Sequence, residues 1–344
     1  MHEMTPPEEF DTLLLDGDLL LFSSCAAIEY GNEPENVQFN QIANNMDARI
    51  MNMKRRLGAK RIIVLLSGKR NFRFVVQPDY KANRKDAWRP FNLANAVAYM
   101  ENQYECIKTD GLEADDYCAI HGSEDPNSEY GVTVTCTIDK DIPQINGWHY
   151  KWETQHAGEK LFHVGGYGNL NCQIKSGNKK KITGDGRRFF FWQLLTGDPT
   201  DGIMGCGKQT RGVYKTGKKA GEGYTKRVGV GAVQAYELLQ YAQTPAKCLH
   251  IVMEEYKKVF KEQWQSELIM NGRCLHMVDT ISEDENMIRL WTWHEEINDR
   301  LLAAEFLDLT KQKVSVETVL KTCNYCIEQS WFNIDKQEIC RMEG

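Results

Sequence analysis

The sequence predicts an α/β fold built on a parallel sheet, with a smaller helical subdomain. Two observations lead there. Short apolar, β-prone runs recur, each stopping on acidic or small polar residues, and helix-patterned stretches separate them, an alternation that lays strands parallel. Beyond residue 186 this gives way to helical patterns interrupted by a stretch rich in Gly and Lys.

Taken in order, residues 12–15 form a first buried strand ending on Asp16-Gly17-Asp18. Residues 38–57 carry a helix pattern closed by Gly58, and residues 61–66 a second strand ending on Ser67-Gly68. Residues 72–76 read as a strand, 91–103 as a helix, 104–108 as a strand, and 132–137 as a strand ending on Asp139-Lys140-Asp141. Helices follow at 187–195 and 232–243, further elements at 268–278 and 287–293, and a mostly helical tail at 301–340. No internal repeat or low-complexity tract is evident.

The 344 residues are 42% hydrophobic and 26% charged, which excludes a disordered chain. The apolar runs fall far short of the roughly 20 residues needed to span a bilayer, and the start lacks a basic leader region. A cytoplasmic protein with no membrane partner is expected. Eleven cysteines, an odd number without framework spacing, point to reduced thiols. Cys323-x-x-Cys326 has no second half with which to build a zinc site. The net charge of -6 disfavours a uniformly basic surface, yet Lys and Arg collect in residues 54–89 and 175–227.

Four acidic groups carry the chemistry: Asp16; Glu113-Ala114-Asp115-Asp116; Asp139-x-Asp141; and Asp198-x-x-Asp201. Each sits where an apolar element stops, and the carboxyl ends of strands are where an α/β sheet exposes its site. Singly, each serves equally well as a helix cap or turn residue. Together they would bring about eight carboxylates into one mouth, where bare like charges repel or take up protons unless cations join them. All-oxygen donors select Mg²⁺ or Mn²⁺ over zinc. Two such ions about 4 Å apart can clamp the attacking and leaving oxygens of a phosphoryl displacement. The eight histidines are scattered, and neither a G-x-S-x-G elbow nor an H-E-x-x-H helix occurs, which argues against covalent or zinc hydrolysis.

Two segments suit a polyanionic substrate. Pro78-Asp79-Tyr80-Lys81-Ala82-Asn83-Arg84-Lys85 sets an aromatic beside three cations, a pairing that stacks bases and holds phosphates. Gly202-x-x-x-x-Gly207-Lys208-Gln209 lacks the Ser or Thr of an ATP-binding loop. Joined to Val228-Gly229-Val230-Gly231-Ala232, it reads as glycine turns whose N–H groups hold a nucleic-acid phosphate. Gly205, Gly207, Lys208, Gly229 and Gly231 are therefore expected substrate contacts, with Tyr80 and Lys85.

In chain order, Leu15-Asp16-Gly17-Asp18, the segment from Asp79 through Lys85, residues 112–116, Asp139-Lys140-Asp141, Gly197-Asp198-x-x-Asp201-Gly202 and residues 268–293 resemble the 5′ nuclease family. That family includes flap endonucleases, the 5′ nuclease domain of bacterial DNA polymerase I and, most similar, the 5′-3′ exonucleases of T7-like short-tailed phages. The resemblance covers residues 10–295. It implies a PIN-like core at 10–186 with a helical arch around 78–95, a helix-hairpin-helix subdomain at 187–295, and a tail at 296–344 without assigned role. It also implies that Asp16, Glu113, Asp115 and Asp116 serve one metal, and that Asp139, Asp141, Asp198 and Asp201 serve a second. Tyr80, Lys81 and Arg84 would belong to the arch, with Lys81 and Arg84 steadying the phosphate as charge builds. The implied substrates are 5′ ends of double-stranded DNA, flaps and RNA–DNA hybrids, in phage replication and host-DNA degradation.

One departure is that Ser67 stands where many members carry Asp, which implies a more loosely held first metal and slower chemistry. Two alternatives share some of these residues. A haloacid-dehalogenase-like phosphatase would use Asp16, Asp18, Ser67, Asp198 and Asp201 but leaves Glu113, Asp115 and Asp116 without a role. An inactive DNA-binding module would keep the fold and lose chemistry at Ser67.

Overall fold

The computed structural model describes residues 4–213, 215–216 and 221–340. Its first half runs β1 (Thr12–Asp16), α1 (Gly17–Glu29), α2 (Phe39–Leu57), β2 (Arg61–Asn71), α3 (Arg73–Val76), α4 (Leu93–Gln103), β3 (Cys106–Gly111), α5 (Ala114–His121), β4 (Thr133–Cys136), β5 (Gly147–Lys151) and β6 (Lys160–Val164). The strands form one sheet in the order β3-β2-β1-β4-β5-β6, parallel except for β6. Leu13, Leu15, Val64 and Leu66 pack into the core shared with α1, α2 and α4, while Leu14, Ile63 and Leu65 pack with Ala114 and Cys118 of α5. Burial on both faces is why β1 and β2 read as unbroken apolar runs. Because β1, β2 and β4 run the same way, Asp16, Ser67 and the residues after Cys136 emerge along one edge. Gly17 belongs to this edge: a Cβ there would lie 2.6 Å from Leu65 O, so only glycine lets α1 start this close to β2.

The second half runs β7 (Leu170–Ile174), β8 (Lys180–Gly184), α6 (Gly186–Thr196), β9 (Gly207–Val213), β10 (Gly223–Gly229), α7 (Ala232–Leu239), α8 (Pro245–Phe260), α9 (Trp264–Leu275), β11 (Met287–Arg289), α10 (Arg300–Thr310), α11 (Val316–Glu328), β12 (Trp331–Asn333) and β13 (Glu338–Cys340). Phe190, Leu194 and Leu195 of α6 pack with Leu249 and Tyr256 of α8 and with Leu268 of α9 in a second core. Among the described residues, no helix is long and apolar enough to cross a membrane.

Three sequence expectations change. Residues 72–76, β-prone by composition, form helix α3, because β2 already has β1 and β3 as neighbours and leaves no free ladder. The segment between α6 and α7, where the resemblance implies a helix-hairpin-helix element with an insertion at about 209–226, is a two-stranded antiparallel ribbon, β9–β10, whose Gly207 and Gly229 pair at its root. The tail is helical only through α11; β12 and β13 then join β11 in a small sheet, and Arg70 donates to Ile334 O at 3.2 Å. The chain end thus returns to the core.

His149 on β5 is 1% exposed; its Nε2–H donates to Ile145 O at 2.8 Å, and its Nδ1 has no partner among the described residues. Burial holds its pKa down to about 4, against roughly 6.5 in an unfolded chain. A depressed imidazole leaves the folded state intact above the unfolded value and penalises it as pH falls toward the folded one. Urea unfolding of wild type and His149→Gln from pH 7.5 to 4 should therefore show the stability difference moving in the variant's favour below about pH 6.5. A difference that stays flat would mean the ring is not held neutral.

Candidate active site

The loops at the carboxyl edge of the sheet meet the loop after α6 and the end of α9 in a cleft of about 520 Å³. Eight carboxylates line it, those of Asp16, Asp18, Glu113, Asp115, Asp139, Asp141, Asp198 and Asp201, against five cations, Arg73, Lys81, Arg84, Arg89 and Lys140. Asp16 ends β1 and caps α1, accepting from Leu19 N at 3.1 Å and from Thr137 Oγ1 at 2.7 Å. Glu113 is the N-cap of α5, and Asp115 lies in its first turn. Asp139 and Asp141 follow β4; Asp139 Oδ1 accepts from Asp141 N at 2.6 Å. Asp198 and Asp201 sit on the loop after α6, which Asp198 folds by exchanging backbone hydrogen bonds with Ile203.

The electrostatics follow from crowding. Burial, with Asp18 and Asp139 nearby, lifts Asp16 to about 7. Burial and Asp139 lift Asp141 to about 8. Burial, with Glu113 and Asp116, lifts Asp115 well above the usual carboxylate range. Glu113 and Asp198 are held low despite burial, the first by Arg73 and Lys81, the second by Lys140. Lys81 pairs with Glu113, Arg84 with Asp201, and Lys140 Nζ with Asp198 Oδ2 at 2.8 Å. Among the described residues, no three His, Cys, Asp or Glu side chains converge as placed to hold an ion. The donor set nonetheless fits a hard divalent cation: it is all oxygen and carries more acid than base.

Seven of the eight expected metal-site acids line the cleft; Asp116 does not. Fully buried, it takes both guanidinium nitrogens of Arg73 at 2.6 and 2.7 Å and also accepts from Val278 N at 3.0 Å. Tyr80, expected to stack on a base, is 3% exposed, with its hydroxyl 2.9 Å from Glu113 Oε2 and 3.0 Å from Asp201 Oδ2. It packs with the helical core because the expected arch is compact here. Among the described residues of 78–92, the only helix is one 3-10 turn, Ala82–Arg84, docked on the 199–201 loop through Asn83 Nδ2 to Pro199 O at 2.9 Å. Lys81 and Arg84 face the cleft; Lys85 is exposed outside it. Nor are the glycine N–H groups all available to a phosphate. Gly205 donates to Asn271 Oδ1 at 3.0 Å and Gly207 to Gly205 O at 2.9 Å, while Gly229 lies in the ribbon ladder and Gly231 caps α7.

Several residues escaped the sequence reading. Gln193, buried on α6, donates to Asp141 Oδ1 at 2.6 Å and accepts from Gln144 Nε2 at 2.6 Å. Its only sequence signal was a polar residue in an otherwise apolar helix face. Phe22 and Trp88 form an edge-to-face pair, centroids 6.3 Å apart, in the cleft wall. Ser67, expected to face a metal, uses its Oγ to accept from Ala114 N at 3.0 Å, while its N–H holds Asp18. That hydroxyl accepts at the first turn of α5, and the Asp18 carboxylate lies beside Ser67 on its backbone N–H.

A family model described as the 5′-3′ exonuclease, N-terminal resolvase-like domain matches residues 11–161. An exodeoxyribonuclease of Enterobacteria phage T3 is 27% identical over 245 residues, 63% of this chain and 74% of that protein. An exonuclease of Escherichia phage T7 is 25% identical over 245 residues, 63% of this chain and 75% of its own length. A solved T5 protein co-crystallised with metal ions aligns over 92% of this chain and 98% of its own, with a TM-score of 0.48 at 16% identity.

The geometry separates acids that hold the fold from acids that crowd the cleft. Asp116→Ala would strand Arg73 in the core and should cost about 3–5 kcal/mol of stability, the range for breaking a buried pair. Asp139→Ala relieves repulsion and should leave the denaturation midpoint unchanged or raised. Equal midpoints for the two variants in urea unfolding would refute the distinction.

Proposed function

We propose that this chain, whose residues 11–161 match a family model of the 5′-3′ exonuclease N-terminal domain, is a metal-dependent 5′-3′ exonuclease that hydrolyses phosphodiester bonds at the 5′ ends of duplex DNA, with Mg²⁺ or Mn²⁺ as its pair of ions. The observation that carries this reading is the excess of carboxylate over cation in one cleft, assembled from segments far apart in the chain. Asp16, Glu113, Asp115, Asp139, Asp141, Asp198 and Asp201 are the residues that would hold the ions, with Asp18 supplying the carboxylate that Ser67 lacks. Bound there, the ions would lower the pKa of the attacking water and offset the charge of the phosphate.

The rest falls to the chain's own groups. Lys81 and Arg84 are cations on a docked turn beside Asp201, able to meet the phosphate oxygens as negative charge accumulates. Phe22 and Trp88 offer ring faces to a terminal base, the part first given to Tyr80. Gln193 aims the Asp141 carboxylate. Flaps and RNA–DNA hybrids fit the same cleft as further substrates, and the phage relatives suggest host-DNA degradation and phage replication in a host cytoplasm as the setting.

A 5′-labelled linear duplex, a flap and a covalently closed circle, each incubated with Mg²⁺ or EDTA, test this. We expect 5′-mononucleotides from the linear duplex with Mg²⁺, none with EDTA, and an intact circle; cleavage in EDTA would sink the proposal. Asp139→Ala with Asp141→Ala should slow the reaction at least a thousandfold, roughly 4 kcal/mol of barrier; full activity in that variant would overturn the ligand assignment. Gln193→Leu should raise the Mn²⁺ concentration for half-saturation about 10–100-fold, the usual effect of losing a group that orients a ligand. Titrating Mn²⁺ binding without DNA reads this directly, and an unchanged affinity would remove Gln193 from the site.

A further inference from the structure

The β9–β10 ribbon is not explained by the cleft chemistry. Seven residues on each strand pair from Gly207 with Gly229 to Val213 with Gly223. Among the described residues nothing covers either face: Lys208, Gln209, Thr210, Arg211 and Val213 on one strand, and Thr225, Lys226 and Val228 on the other, are exposed. A lone two-stranded hairpin is marginal in water, so a ribbon kept this bare is expected to meet something.

Its root is built rigidly. Arg227 turns inward and donates to Met204 O at 2.6 Å, Leu195 O at 2.8 Å and Val230 O at 2.9 Å, tying the ribbon to the C-terminal turn of α6. A Cβ on Gly229 would lie 2.2 Å from Cys206 O, so the strands close tightly there. Lys208 Nζ stands over the Phe260 ring at 5.2 Å. The loop that brings Asp198 and Asp201 into the cleft runs straight into β9. The exposed charge is one-sided: Lys208, Arg211, Lys215 and Lys226, with Glu222 the only acid among the described ribbon residues.

We propose that this ribbon enters the major groove of double-stranded nucleic acid whose end lies in the cleft, with Arg211 and Lys226 meeting phosphates of the flanking backbones. The inference rests on the nuclease reading for where the duplex lies. The major groove, about 12 Å wide, admits a two-stranded β-ribbon, and the strands here are spaced about 4.8 Å apart and extend roughly 23 Å. The exposed residues beside the cations are Thr, Gln and Val rather than a set aimed at particular base edges. The grip is therefore independent of sequence and selects duplex over single strand. It differs from a glycine-turn phosphate clamp, since the Gly205 and Gly207 N–H groups are already engaged.

The test uses the full chain, in EDTA so that binding is read without turnover. Fluorescence anisotropy follows a 30-base-pair duplex and a 30-nucleotide single strand across a KCl series, for wild type and for Arg211→Gln with Lys226→Gln. Two lost phosphate contacts should flatten the slope of log Kd against log salt by about 1.8 for the duplex, with under a twofold change for the single strand. A duplex whose pyrimidines carry bulky C5 groups filling the major groove should bind wild type at least about tenfold more weakly, and the variant with little further loss. An unchanged slope, an equal loss on both nucleic acids, or indifference to the filled groove overturns the proposal. Cleavage with Mg²⁺, assayed separately, reports on the nuclease reading, so failure of one is distinguishable from failure of the other.

Discussion

The buried pair of Arg73 and Asp116 is the constraint on which the cleft depends. It joins three segments that meet nowhere else in sequence: α3 after the second strand, α5 after the third, and the chain leaving α9, whose Cys274 and His276 carbonyls accept from Arg73 while Val278 N–H reaches Asp116. Desolvation takes back most of the attraction in such a pair, so its contribution is register more than net stability. With Asp116 pinned beneath, the first turn of α5 presents Glu113 and Asp115 upward into the cleft.

Above that pair, like charges are held closer than they would choose. Asp16, Asp115 and Asp141 are all pushed upward by burial and by neighbouring carboxylates, and the local lysines and arginines relieve only part of the excess. The sheet, α6 and the docked turn at residues 82–84 keep these groups together at this cost, because each carboxylate is fixed by a donor: Asp16 by Leu19 N and Thr137 Oγ1, Asp115 by Asp116 N, and Asp141 by Gln193 Nε2. Lys81, Arg84 and Lys140 are thus both internal counter-ions and the groups nearest any polyanion that enters.

How much of this could be read beforehand depended on burial. β1 and β2 were legible because strands covered on both faces are continuously apolar, β4 because it is short and β-branched, and their polar tips mark where the cover ends. Strands β6 to β8 are half-exposed, mix Lys with Leu and Ile, and carry no such run. The β9–β10 ribbon, bare on both faces, has no apolar period at all, and its glycines read equally well as turns.

The sequence by itself determined the parallel sheet, the edge where its acids gather and the all-oxygen chemistry of that edge, since apolar periodicity and residue type are local properties. Only the tertiary structure decided which acid does what. Asp115 and Asp116 are adjacent and chemically identical, yet one faces the cleft and the other an arginine; Tyr80 is inside and Phe22 lines the wall; Ser67 caps a helix with its hydroxyl and holds Asp18 with its N–H. Each of those assignments depends on which partner from a distant part of the chain comes within hydrogen-bond reach, and no local pattern encodes that distance.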